Sequence, residues 1–312
     1  MLAADATVVA GRRSATGAAG AQPCVTVVVP ARNEEHVLPR TLPALLDAAA
    51  RLPVPTDVVI VTPATSPMVA TPPVAGENLR WEAVAAPGKY HAIRTGADTT
   101  EAEVLLLVDA DVLVEPGTLQ ALADPILDGR ADVCAGRVDL TTWAGPGRPG
   151  LLARWASVSF DAWDRMRRER SDLRWALPGA VYGIRRSLLP AALLVPLVDD
   201  VSVGLHAYDQ GAAFFYEPAA TVRTPPQDRY GMWARQKIRS RRGWAALAEH
   251  RPQEVAALEA TFRLYLAAAA SKEPTRHVMY AQDRMLRTVA RGLGRPDSGG
   301  WVPGRTERQW NV

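Results

Sequence analysis

VLLLVDADVLV, residues 104 to 114, places Asp109-Ala110-Asp111 directly after five consecutive apolar residues and ahead of three more. An apolar run with no polar alternation is the pattern of a strand covered on both faces, as in the parallel sheet of an α/β protein. Asp109 and Asp111 then share one side of an extended chain. Ligands of open α/β sheets bind beyond the carboxyl ends of the strands, where paired carboxylates can hold a divalent cation through hard oxygen ligands. The plain alternative is turn and capping chemistry before Glu115-Pro116-Gly117. Roughly one D-x-D triplet is expected by chance in a chain of this composition, so the setting carries the reading and the triplet does not.

On either side, strand and helix patterns alternate. Val25 to Val29 (VTVVV) reads as a β-branched strand, and Pro30-Ala31-Arg32-Asn33-Glu34-Glu35 as a loop into a helix capped by Asn33. Leu38, Leu42, Leu45, Leu46, Ala49 and Leu52 recur at helical spacing, with Pro43 expected to distort that helix. Strands are expected over residues 57–61 and 79–84, a proline-rich loop over 62–76, and a helix over 89–100. Beyond the opening segment the pattern predicts a helix over 119–127, a strand over 132–141, a helical stretch over 151–175, a strand over 212–216, and mostly helix from Met232 onward. Such alternation favours a parallel sheet with right-handed crossovers.

The chain has 312 residues, of which 48% are hydrophobic and 22% charged, an ordinary globular balance for one large domain or two small ones. Lys and Arg exceed Asp and Glu by 36 − 33 = 3, too few to make nucleic acid the main partner. Positive charge is concentrated in RMRRER (165–170) and RQKIRSRR (235–242), which suit phosphate groups or an anionic membrane surface, or else form solvated helix faces. Cys24 and Cys134 make neither a metal spacing nor a disulfide framework, the usage of a reducing cytoplasm. No run reaches the roughly 20 apolar residues of a membrane span, and the best, Leu188 to Val198, holds two prolines. The expected protein is cytoplasmic, soluble or peripherally attached to a membrane. Residues 1–22 read as a disordered leader, and GPGRPG (145–150) lacks the strand and helix context of a dinucleotide loop.

VTVVVPARNEE, VVIVTPATS, GKYHAIRTGAD, VLLLVDADVLV, LPGAVYGIRRSLL, LVDDVSVGLHAYDQGAAFFYEPAATV and RQKIRSRRGW follow one another in an order and spacing that resembles the family 2 inverting glycosyltransferases of GT-A fold. The resemblance spans about residues 24 to 244. It implies an α/β fold of GT-A type: a single domain with a mostly parallel nucleotide-binding sheet flanked by helices, and a helical C-terminal extension. The implied division is a domain over 23–245, with a donor-nucleotide half at 23–142 and an acceptor half at 151–245, followed by the extension and tail at 246–312.

The resemblance also implies roles. A nucleotide-diphosphate sugar would be the donor, and its departing diphosphate would be stabilised by Mn²⁺ or Mg²⁺ acting as a Lewis acid. Asp111 would ligate the cation directly, with Asp109 nearer the ribose or a metal-bound water. Asp200 would be the general base and Asp199 its orienting neighbour; an Asx turn or helix cap is the structural alternative for this pair. Pro30, Ala31, Arg32, Asn33, Glu34, Thr62, Lys89, Ala110, Gln236 and Arg239 would belong to the donor side, Arg239 contacting the diphosphate. Gly179 and Trp163 would face the acceptor, a small or lipid-linked molecule, to which the helix of Trp155, Phe160 and Trp163 presents an aromatic and basic face or else a core stripe.

Two departures stand out. Ser240 follows Arg239 where the family has Trp, and Thr62 stands near the place of a base-reading Asp, leaving uridine, guanosine and thymidine donors open. A sugar nucleotidyltransferase would need a glycine-rich loop after the first strand, and PARNEE has no glycine. A non-catalytic binding module of the same fold is the third reading.

Overall fold

The computed structural model describes residues 24–140, 150–225 and 229–292. The expected leader, nearly all of GPGRPG and the C-terminal tail lie outside these residues. The VTVVV run forms β1 (Val25–Pro30), buried at every position. It pairs in parallel with β2 (Thr56–Pro63) on one side and β4 (Val104–Val108) on the other, with Val27 opposite both Val58 and Leu106. β3 (Leu79–Val84) extends the parallel set beyond β2. Alternate residues of these strands serve two cores. Val25, Val27 and Val29 pack with Leu38, Leu42 and Leu45 of α1 (Leu38–Ala50), while Val28, Leu105 and Leu107 pack with Ala92 and Ile93 of a helix on the other face.

α1 runs through Pro43 without a break. Its N-cap position is Val37, and the expected cap, Asn33, instead takes a left-handed backbone (φ 58°) in the preceding loop. Asn adopts that conformation more readily than most residues, so it serves the turn and not the cap. After a short helix α2 (Pro67–Ala70), the helix facing Val28 is α3 (Lys89–Asp98). A two-residue strand β5 (Leu113–Val114) and helix α4 (Thr118–Leu127) follow β4, and then come β6 (Val133–Asp139), α5 (Leu151–Glu169) and β7 (Val181–Arg185). The chain ends in α6 (Asp199–Asp209), β8 (Phe214–Arg223), α7 (Tyr230–His250), α8 (Pro252–Ala269) and α9 (Arg276–Gly292).

The sheet order is β3-β2-β1-β4-β7-β6-β8-β5. Four of its seven pairings are parallel, so the sheet is mostly parallel; β7 runs against both β4 and β6, and β5 against β8. β7 and β5 are strands that the sequence pattern did not indicate. Leu113 follows Val108 by five residues yet lies four strands away from it in the order. Four strand spacings in a flat sheet are about 19 Å, while five extended residues reach about 17 Å. The sheet therefore curls, and the Asp109–Val112 turn spans the inside of the curl.

The helices after β8 do not stand apart. Leu247, Val255 and Leu258 share a core with Met166, Trp175, Val201 and Leu205, while Met279 and Leu286 pack with Trp155 and Trp233.

Candidate active site

Two backbone contacts hold the Asp109-Ala110-Asp111 turn. The Asp109 N–H donates to Ala180 O at 3.0 Å, ahead of β7, and Thr41 Oγ1 on α1 donates to Ala110 O at 2.8 Å. The turn is thus tied to α1 and to the segment that leads into β7, both on the same core.

Lys89 gathers the rest. It opens α3 behind Gly88, whose φ of 120° is a conformation that side chains rarely permit. Its ammonium lies 2.6 Å from Asp109 Oδ1 and 3.8 Å from Asp199 Oδ2, and donates to Gly179 O at 2.8 Å. One cation therefore joins the D-x-D turn, the acidic pair and the Leu177–Ala180 loop. Burial opposes its charge, but the carboxylates of Asp109, Asp199 and Asp200 outweigh burial and hold its pKa above the ordinary lysine value. Burial also pushes Asp109 upward, against the pull of Lys89 and with the help of Asp111.

Asp199 and Asp200 form the first turn of α6, where exposed N–H groups favour carboxylates. Burial, and after it the charge of Asp199, pushes Asp200 up to about 6 against Lys89, the Val201 N–H and Arg167. Gly179 faces this carboxylate: a Cβ added there would sit 2.9 Å from Asp200 Oδ2. Arg167, buried, donates from Nε and Nη2 to Ala176 O at 3.0 and 2.9 Å, and its guanidinium lies 4.9 Å from the Trp163 ring centre. That fork anchors the loop on which Gly179 rides.

α7 closes the site with Gln236, Lys237, Arg239, Ser240 and Trp244. Arg239 Nε is buried with no hydrogen-bond partner among the described residues, an orphaned donor at a cavity wall that an anion would satisfy.

These groups surround one cavity of about 400 Å³. The expected residues Pro30, Glu34, Lys89, Asp109, Ala110, Asp111, Trp163, Gly179, Asp199, Asp200, Gln236 and Arg239 line it. Four others do not. Ala31 is buried beneath, its N–H on Val61 O; Arg32 is half-buried and Asn33 exposed; Thr62 is buried within β2. Sequence reasoning passed over Lys237, Ser240 and the anchoring role of Arg167. Helical spacing held part of the signal, because Met232, Gln236, Ser240 and Trp244 fall four apart on one face of α7. Among the described residues no three His, Cys, Asp or Glu side chains come together as a metal cage. Asp109 and Asp111 could hold a cation only with ligand oxygens completing its shell, a donor set that suits Mg²⁺ or Mn²⁺.

A curled α/β sheet whose strand ends join paired carboxylates, a second acidic pair and an arginine-bearing helix around one cavity is the layout of a GT-A glycosyltransferase. The chain belongs to the glycosyltransferase-like family 2, whose model matches residues 22–243. Among solved structures it is similar to a mannosyltransferase from Pyrobaculum calidifontis in complex with GDP-Man and Mn²⁺, at 18% identity and a TM-score of 0.53 over 88% of this chain and 85% of that one. It is also similar to glucosyl-3-phosphoglycerate synthase from Mycobacterium tuberculosis in complex with phosphoglyceric acid, at 17% identity and a TM-score of 0.50 over 73% and 79%. At these identities the likeness is one of fold. Comparison with curated proteins returns no match. Among the described residues no helix is long and apolar enough to cross a membrane.

Proposed function

We propose that this glycosyltransferase is metal-dependent and inverting, moving one sugar from a nucleotide-diphosphate donor to a small-molecule or lipid-linked acceptor, with Asp200 as general base. The observation that carries the proposal is that one cavity gathers Asp109, Asp111 and Arg239 together with Asp200, which faces Gly179. A diphosphate leaving group needs cations. Arg239 offers a guanidinium with a buried, unused Nε, and a bound Mg²⁺ or Mn²⁺ would supply Lewis-acid stabilisation of the departing oxygen. Lys89 already engages Asp109 Oδ1, which supports Asp111 as the more direct ligand. A mannosyltransferase of like fold in complex with GDP-Man and Mn²⁺ supports a divalent cation accompanying a nucleotide-sugar donor.

On the acceptor side, Asp200 takes the proton of the attacking hydroxyl while that oxygen bonds to the anomeric carbon. The bond from that carbon to the diphosphate breaks, and its electron pair leaves with the phosphate. One displacement inverts the centre, and Asp200 ends protonated. A pKa pushed up to about 6 leaves this carboxylate ionised at neutral pH yet more basic than an exposed one.

A thermal-shift panel of UDP, GDP, dTDP and CDP, with and without Mn²⁺, tests the donor half. One diphosphate at about 100 times its Kd should add about 2.7 kcal/mol of stability, and only with the cation present. If none of the four stabilises the protein with Mn²⁺, the donor assignment is wrong.

A further inference from the structure

Beside the catalytic cavity lies an annex rich in aromatic side chains. A second cavity, of about 140 Å³, opens among α5, α7, α8 and α9. Ser159, Trp163, Lys237, Ser240 and Trp244 line both cavities, so the two share a wall made of side chains from α5 and α7. The inner walls add Trp155, Trp233, Phe262 and Tyr280 to the shared pair, with Arg241, Asp283 and Glu259 as the charged groups among them. Trp163 is stacked on Phe262, with ring centres 4.4 Å apart and planes 26° from parallel, so the shared wall is braced from α8.

Size and charge narrow the occupant. An apolar cavity of about 150 Å³ holds benzene, so the annex takes one ring-sized group. Lys237, in the shared wall, makes no hydrogen bond or ion pair among the described residues. Its neighbour Arg241, by contrast, is paired with Asp283 at 2.5 Å, and Asp283 also holds Arg287 at 2.7 Å. Burial and then Arg241 lower the pKa of Lys237, with Asp283 opposing, so its charge is held at a cost that an anion would relieve.

We propose that the annex is an acceptor subsite, and that the acceptor is a hydroxylated anion carrying an aromatic, ring-sized group: ring in the annex, carboxylate or phosphate against Lys237, hydroxyl toward Asp200. This rests on the glycosyltransferase reading above and adds the chemical class of the acceptor.

Calorimetry on the full chain, first with the stabilising nucleoside diphosphate and Mn²⁺, then with phenyl phosphate, benzoate, inorganic phosphate and phenol, tests it. At least one of the two aryl anions should bind ~10-fold or more tightly than both inorganic phosphate and phenol, a gap expected when ring and anion sites are filled together; which of the two does so identifies the anion. Lys237→Met should reduce that aryl anion to the level of phenol. Ala156→Phe, which fills the annex from α5, should remove the ring's contribution while nucleoside diphosphate binding stays as in the wild type. Equal affinities for the aryl anions and inorganic phosphate, or aryl-anion binding unchanged in Lys237→Met, would overturn the subsite. Either result with intact diphosphate binding leaves the transferase reading standing, whereas absence of diphosphate binding in the wild type overturns that reading instead. Should Ala156→Phe fail to fold, Lys237→Met and the four ligands decide alone.

Discussion

Three carboxylates, those of Asp109, Asp199 and Asp200, bear on one ammonium, that of Lys89, and this imbalance acts on protonation in the site after the larger effect of burial. Asp200 stands at about 6, above its ordinary value, so folding favours its protonated form. Stability from this group is fully present at low pH and is lost as pH rises through about 6. The general-base role proposed for Asp200 needs the opposite form. The rate of sugar transfer should therefore fall with decreasing pH along a limb centred near 6, seen in a kcat/KM profile. Asp200→Asn should cut kcat by about 10² to 10⁴ while leaving nucleoside diphosphate binding intact and raising Tm at pH 7.5; a lower Tm there would contradict the buried-charge account. Lys89→Met leaves those carboxylates without their cation, and a loss of about 3 kcal/mol in denaturant unfolding is expected. The acidic pairs and Arg239 were visible as residue types at given spacings. That Lys89 would bridge them was not, because the bridge crosses from the start of α3 to a loop 90 residues later.

At the scale of elements, the site depends on where helices begin and how loops pass beneath them. Gly179 lies under the first turn of α6, with Asp200 Oδ2 2.9 Å from where a Cβ would be. Gly179→Ala should displace that carboxylate, lowering kcat roughly tenfold through misplacement with little change in diphosphate affinity, measured by steady-state kinetics beside calorimetry. On α7, Arg239→Ala should weaken binding of the nucleoside diphosphate about tenfold or more and that of the nucleoside hardly at all; equal losses for both would remove Arg239 from the diphosphate. Most elements were legible, β4 and β3 to the residue. β7 escaped because VYGIR has a glycine at its centre and an arginine at its end, and it is a strand only by lying antiparallel between β4 and β6. β5 is two residues long, too short for any periodicity, and exists through its pairing with β8.

Across the whole molecule, the curl of the sheet and the C-terminal helices make a single body of the described residues. Val255, Leu258, Met279 and Leu286 lie beyond residue 250 and help bury Met166, Trp155 and Trp233. Each buried side chain of this size contributes about 1.5 to 3 kcal/mol, so removing all four approaches the usual net stability of about 5 to 15 kcal/mol. A chain ending at residue 250 should lose its cooperative thermal transition and aggregate on size exclusion; a monomeric, cooperatively melting product would show the extension to be separable.

By itself the sequence determined the strand-helix alternation, the apolar run that ends at Asp109-Ala110-Asp111, and the family, since these follow from local periodicity and from short motifs in a fixed order. The tertiary structure alone decided that the D-x-D turn spans the inside of a curl, that Lys89 ties it to Asp199 and Gly179, that Thr62 is buried in β2 away from the cavity, and that an aromatic annex adjoins the site. Each of these depends on contacts between segments tens to hundreds of residues apart, and such contacts form only when the packing of two cores brings the strand ends and α7 around one cavity.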